Sequence, residues 1–175
     1  MANEIITIEN LKEFKAKMME AVKNATIKRT LIDSNDETGT DSKGNSYTER
    51  SRYYIEGNNL DVYLYYSFTA FGNNITKAFH LNYEKLLGRT ILEDALGKIS
   101  NSQTSGYDFM IRFCGTCVSL DSYGIVNEIL PAAVRVYAYT TTSGLKLNFA
   151  PTVNNLTDST AYILSAHLTI PLANS

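Results

Sequence analysis

Chemistry, if this chain performs any, has to be carried by a short inventory: Cys114 and Cys117, His80 and His167, and scattered carboxylates. The run Cys114-Gly115-Thr116-Cys117 has the spacing of a chelating or dithiol pair. Structural zinc, however, takes four ligands, and a redox pair places its first cysteine at a helix N-terminus, where the dipole lowers the thiol pKa. Here there is no second cysteine pair, and the flanks FMIRF and VSL read as strand. Three steps along a strand reverse the side-chain direction, so the two sulfurs point to opposite faces unless Gly115-Thr116 turns the chain. Buried structural thiols are therefore expected, with a redox pair, or zinc completed by His80 and His167, as the alternatives. Both histidines lie in strand-like runs and read as satisfied or edge side chains. No GxSxG elbow, phosphate-binding Gly-Lys-Ser/Thr loop or HExxH helix occurs. Asp61, Glu84, Asp108 and Asp121 could serve glycoside cleavage only if folding gathered them. The sequence thus predicts no catalytic residue, no metal site and no cofactor.

Binding is better provided for. The 175 residues include 12 Tyr and no Trp. Tyr63 and Tyr65 alternate on one strand and Tyr137 and Tyr139 on another, so their rings could stack on sugar faces, as in a carbohydrate-binding or adhesin module, or anchor a protein partner. The competing reading is a half-buried sheet face or subunit interface, where a tyrosine packs its ring and leaves its hydroxyl in water. Nucleic acid is not an expected partner: the formal charge is -2, the pI is about 5.7, and Arg112 and Arg135 are too isolated to track a phosphate backbone. A membrane is not expected either. Apolar runs fall well short of the ~20 residues that span a bilayer, and Met-Ala-Asn-Glu lacks the basic and apolar regions of a signal peptide.

The elements that must position these groups fall into two parts. From Ile8 to Ala25, Ile8, Leu11, Phe14, Met18, Val22 and Ala25 recur at spacings of three and four, with lysines and glutamates on the other faces. This predicts an amphipathic helix, opened by Thr7 and Glu9, whose apolar stripe packs either on the chain's own body or on another copy or partner. The composition shift near residues 26–33 places a boundary between an N-terminal assembly or attachment segment, 1–28, and a β domain, 29–175. Residues 33–46, DSNDETGTDSKGNS, contain no apolar side chain and read as an exposed loop or hairpin tip. Their Asp/Asn spacing suggests a calcium loop, but Thr38 stands where the tight turn needs Gly and Gly44 where a Glu must close the site.

Beyond that loop the period becomes two. Val62, Leu64, Tyr66 and Phe68 face one side of DVYLYYSFTAF, and Gly72-Asn73-Asn74 turns into ITKAFHL, read as its hairpin partner. Leu86, Leu87, Ile91, Leu92, Ala95, Leu96 and Ile99, with a Thr90/Glu93 capping box, predict a short helical insertion around 83–99. The last third returns to strands: YDFMIRFCGTCVSL, GIVNEIL stopped by Pro131, AAVRVYAYTTT joined to GLKLNFA by a hairpin at Thr142-Ser143-Gly144, and TAYILSAHLTI ending before Pro171. Short strands with turns between them and no helical crossovers predict a mainly β chain, a β-sandwich or jelly roll behind an N-terminal helix.

The opening ANEIITIENLKEFKAKMMEAV, with its Ile8, Leu11, Phe14 seam and Lys-rich helix, resembles the start of small bacteriophage virion proteins: head fibres, tail fibres and baseplate-associated proteins. The resemblance covers about 25 residues. It implies a non-enzymatic structural protein, assembled in the host cytoplasm into the virion. An N-terminal segment (Ile8, Leu11, Phe14, Met18, Val22) would attach to other virion proteins or form a homo-oligomer, commonly a trimer. The β domain would face outward, towards a host-surface glycan if it is an adhesin. The short helix and the lack of a repetitive shaft point to a compact capsid-decorating, head-fibre or tail-associated type.

Overall fold

The computed structural model describes residues 12–19, 28–91, 110–121, 123–141 and 144–173. Residues 12–19 are helical (α1). The β body consists of β1 (Arg29–Thr40), β2 (Ser46–Glu56), β3 (Asn59–Thr69), β4 (Asn74–Thr76), β5 (Phe79–Asn82), a 3-10 helix (Tyr83–Leu86), β6 (Thr90–Ile91), β7 (Met110–Leu120), β8 (Val126–Thr141), β9 (Gly144–Asn154) and β10 (Ala161–Ala173). The spatial order is β1-β2-β3-β10-β7-β8-β9-β4, with β5 also on β9 and β6 on β10. All these pairings are antiparallel.

The sheet curls until its halves face each other. Tyr53 on β2 and Phe149 on β9 have four strands between them in the sheet order, yet their rings lie 5.6 Å apart. Only a sheet folded over on itself brings them together, so the mainly β, sandwich-like architecture expected from the alternation is what forms. Its interior takes every second residue: Leu60, Val62 and Leu64 from β3, Val134 and Val136 from β8, and Leu168 and Ile170 from β10 share one buried cluster with Tyr53 and Phe149. A second cluster gathers Phe68, Cys117, Ala132, Val153, Tyr162 and Leu164.

Several sequence expectations are corrected. The polar run 33–46 is not mainly loop: residues 33–40 continue β1, paired with β2 as far as Thr40↔Ser46. A strand at the edge of a sheet, wet on both faces, needs no apolar alternation, and polar side chains there discourage edge-to-edge pairing. The run ITKAFHL is not the hairpin partner of β3. It forms β4 and β5, both on β9, because β10 takes the free edge of β3 in an eleven-pair register from Ala161↔Thr69 to Pro171↔Asn59. The crossing is held by backbone bonds from Ala70 and Asn73 to the turn at 156–160. Lys77 then reaches back to Glu49 of β2, a largely buried carboxylate, with its ammonium 4.9 Å from the Tyr66 ring.

Neither Pro131 nor Pro171 stops a strand. Pro131 lies within β8 opposite Thr116, but the β8–β9 register begins only at Ala133↔Thr152, so β8 has one neighbour there and tolerates the missing N–H. Pro171 sits near the end of β10, which continues to pair Leu172 with Ile91. In the 83–99 stretch the structure shows the 3-10 helix and then β6. Thr90, expected to cap a helix, instead faces Ala173 across β6 and β10, and residues 92–99 lie outside the described residues.

Two turns share one design. In Asp41-Ser-Lys-Gly44-Asn45 the Asp41 carboxylate accepts the amides of Lys43, at 2.8 Å, and Asn45, at 2.9 Å. In Asp121-Ser-Tyr-Gly124-Ile125 the Asp121 carboxylate accepts those of Tyr123 and Ile125 at the same two distances. Gly44 and Gly124 supply the positive φ, +85° and +76°, at no steric cost. In the run whose Asp/Asn spacing suggests a calcium loop, Asp41 instead closes the β1–β2 hairpin. Burial works against the Asp41 charge, but the two amides outweigh it and hold the carboxyl below its ordinary value.

Candidate functional site

Alternation on β3 sends Asp61, Tyr63 and Tyr65 to the outside of the sheet, and the registers of its two neighbours decide what they meet. Tyr54 and Thr169 flank Asp61; Arg52 and His167 flank Tyr63; Arg50 and Ser165 flank Tyr65. Ser165 in turn faces Thr116 of β7. These outward side chains form a grid across four strands.

The grid is packed within itself. Tyr63 stacks on His167, with ring centroids 4.2 Å apart and planes 9° from parallel, and meets Tyr54 edge-on at 5.9 Å. The Arg29 guanidinium lies 4.0 Å from the Tyr54 ring and 5.0 Å from that of Tyr63. Thr169 donates to Asp61 at 2.6 Å, and His167 Nε2 is 3.9 Å from the same carboxylate. Arg50 covers Tyr65 at 5.6 Å, while Arg50 and Arg52 both pair with Asp36 of β1. The ring of Tyr63, a candidate either for stacking on a sugar or for packing on a half-buried sheet face, is engaged by its own neighbours; the imidazole of His167 is half-exposed.

Beside it runs a shallow open groove of about 490 Å3, lined by Tyr63, His167, Ser165, Thr116, Gly115 and Cys114. A β-bulge shapes this wall: Phe113 pairs with Ala133 but Gly115 with Ala132, leaving Cys114 as the extra residue. The two thiols part company there. Cys114 is half-buried at the groove, whereas Cys117 is buried, and no disulfide joins them. Burial, with Glu128 nearby, pushes the Cys117 thiol up to about 12, which keeps it protonated and unreactive. Among the described residues no three of the His, Cys, Asp and Glu side chains come close enough together to hold a metal ion.

The remaining predicted site residues lie elsewhere. Tyr137 is on β8, with β10 and β7 between its strand and β3, so the two tyrosine pairs do not make one surface. Its hydroxyl accepts a bond from Asn148 and Arg135 lies 5.7 Å from its ring. Tyr139 is opposite Lys146 in the β8–β9 register, and its side chain is outside those described. On α1, Phe14 and Met18 are 65% and 51% exposed, with Met19 beside them at 62%; Ile8, Leu11 and Val22 lie outside the described residues. No described helix is long and apolar enough to cross a membrane. Arg29, Tyr54, Ser165 and Thr116 were not singled out in the sequence. Alternation marked their faces as outward, but only the strand order brings them beside Tyr63.

No family model matches the chain, and no curated protein matches it. Among solved structures, it superposes on the Ad16 fiber knob with a TM-score of 0.50 at 12% identity, covering 84% of this chain and 98% of the knob. The adenovirus AD35 fibre head gives a TM-score of 0.46 at 8% identity over 77% and 89% of the two chains. A fragment of avian reovirus sigmaC gives 0.35 at 14% identity over 82% and 60%. At these identities the likeness is one of fold: the chain has a fibre-knob-like antiparallel β fold.

Proposed function

We propose that this chain is a non-enzymatic structural protein of a bacteriophage particle, of the capsid-decorating, head-fibre or tail-associated type. It assembles through its N-terminal segment as a homotrimer, held against other virion proteins with its β body outward. The observation that carries this reading is the uncovered apolar stripe of Phe14 and Met18 on a helix whose eight described residues are all exposed, preceding a body with a knob-like fold. A stripe of that kind is stable in water only when something covers it. Light scattering of the full chain is expected to give the mass of three 19.5 kDa protomers. Phe14→Glu combined with Met18→Glu should raise the dissociation concentration roughly 100-fold or more, the effect of losing two buried anchors. A full chain that stays monomeric at all concentrations refutes the assembly reading.

A second reading, compatible with the first, takes the outward face as a host-glycan site. It is favoured by the groove, where Ser165 and Thr116 hydroxyls and the exposed His167 ring line one concave wall. Binding on a glycan array is expected to fall at least about tenfold in His167→Ala, with Tyr137→Ala unaffected. An array without signal removes this reading.

A further inference from the structure

The tip of the β7–β8 hairpin exposes Tyr123 by 87%, Ile129 by 66%, Ile125 by 64%, Val126 by 49% and Leu120 by 38%. Their positions join them into one surface. Leu120 faces Val126 and Ile129 faces Val118 across the hairpin, and Val118 faces Ile163 on β10, so an apolar row crosses three strands. Five large apolar side chains exposed by 38% to 87% on one hairpin tip make the kind of contiguous apolar patch that marks a protein–protein contact.

The charge around this patch narrows the choice of what covers it. From Cys114 to Val134 there is no Lys or Arg. The two acids are committed within the chain: Asp121 to the amides of its own turn, and Glu128 to the Tyr162 hydroxyl at 2.6 Å. The sheet's other half carries the Arg50, Arg52 and Asp36 ion pairs. A phosphorylated or acidic ligand would find no cationic side chain along this stretch. An identical apolar patch buries no unpaired charge and matches in chemistry, as the cores of homo-oligomer interfaces do.

We infer that the β7–β8 tip is the contact between the β bodies of neighbouring copies of this chain, the same patches meeting around their shared axis. This rests on the assembly proposed above and adds where the bodies touch, beyond what the helix contributes. The chain has no Trp, so Ile129→Trp places a single reporter in the patch of the full-length protein. Its emission is expected to be blue-shifted from that of free tryptophan while the protein is assembled, and to move to the solvent value on dilution to monomers. Ile125→Arg combined with Ile129→Arg should weaken assembly by roughly 100-fold or more with the far-UV spectrum unchanged. Solvent-like emission from an assembled protein, or undiminished assembly of the arginine variant, overturns the contact and leaves helix-mediated assembly standing. A full-length chain that never assembles overturns both.

Discussion

Gly115→Ala should lower the unfolding free energy by about 1–3 kcal/mol, the usual cost of overpacking a close contact. A Cβ at this position would lie 2.8 Å from the Ser165 carbonyl oxygen, 2.9 Å from the Ala166 Cβ and 3.1 Å from the Ala132 Cβ. These are backbone and first-carbon atoms of β10 and β8, the strands on either side of β7, so no side chain can swing away; a strand has to move. For a chain of this size the loss corresponds to roughly 2–12 °C in Tm. Gly44→Ala is the comparison. Nothing lies within 4 Å of that position, so it costs only the left-handed backbone penalty of about 1 kcal/mol. Equal losses at the two positions in thermal melts would mean that close strand approach is not what requires glycine at 115. The larger loss at Gly115 also predicts a disturbed groove, because the strand that must shift forms its wall.

This glycine shows how far the sequence could be read. Cys114-Gly115-Thr116-Cys117 has a chelating spacing set in a strand, and alternation alone predicts that its sulfurs point to opposite faces; in the fold Cys114 packs against the first core cluster and Cys117 lies in the second. The feature that departs from simple alternation is a bulge, and a bulge is set by the register against β8, which the sequence of β7 does not contain. The same limit applies at Asn73, where turn chemistry was legible but the partner was not: β3 pairs with β10, about a hundred residues away, and β5 goes to β9. Local signals that depend on one strand survive, as in the inward row Val62, Leu64 and Phe68 of β3. Pro131 misled for a related reason. A proline ends a strand with neighbours on both sides, and only the strand order shows that β8 has one neighbour there. In the candidate site, Tyr63 was visible from its spacing. The groove was not, because His167, Ser165 and Thr116 come together only across strand pairs.

Phe149→Ala is expected to have the largest effect of any single side-chain truncation in the body, about 3–5 kcal/mol by urea denaturation. Phe149 is fully buried, and Tyr53, at 1% exposed, packs on it from the far side of the curled sheet. Hydrogen bonds hold each strand to its neighbours, but a ladder of ten strands can remain flat; closure depends on what the two inner faces gain by meeting. Removing the ring at the point of meeting loses its own transfer energy and leaves Tyr53 facing a cavity that the rigid strands on both sides cannot collapse to fill. Phe71 is the control. It is 38% exposed and touches Lys43 at 4.0 Å, so Phe71→Ala gives up mainly a surface cation–π contact of about 0.5–1 kcal/mol. If both variants lost the same small amount, the curled sheet would owe its closure to pairing alone, and the packing of β2 against β9 would be incidental to the fold. A large, selective loss at Phe149 would instead place the stability of the outward-facing grid on the far side of the sandwich, since β2 carries both Tyr53 into the core and Tyr54 out to the Arg29 and Tyr63 contacts.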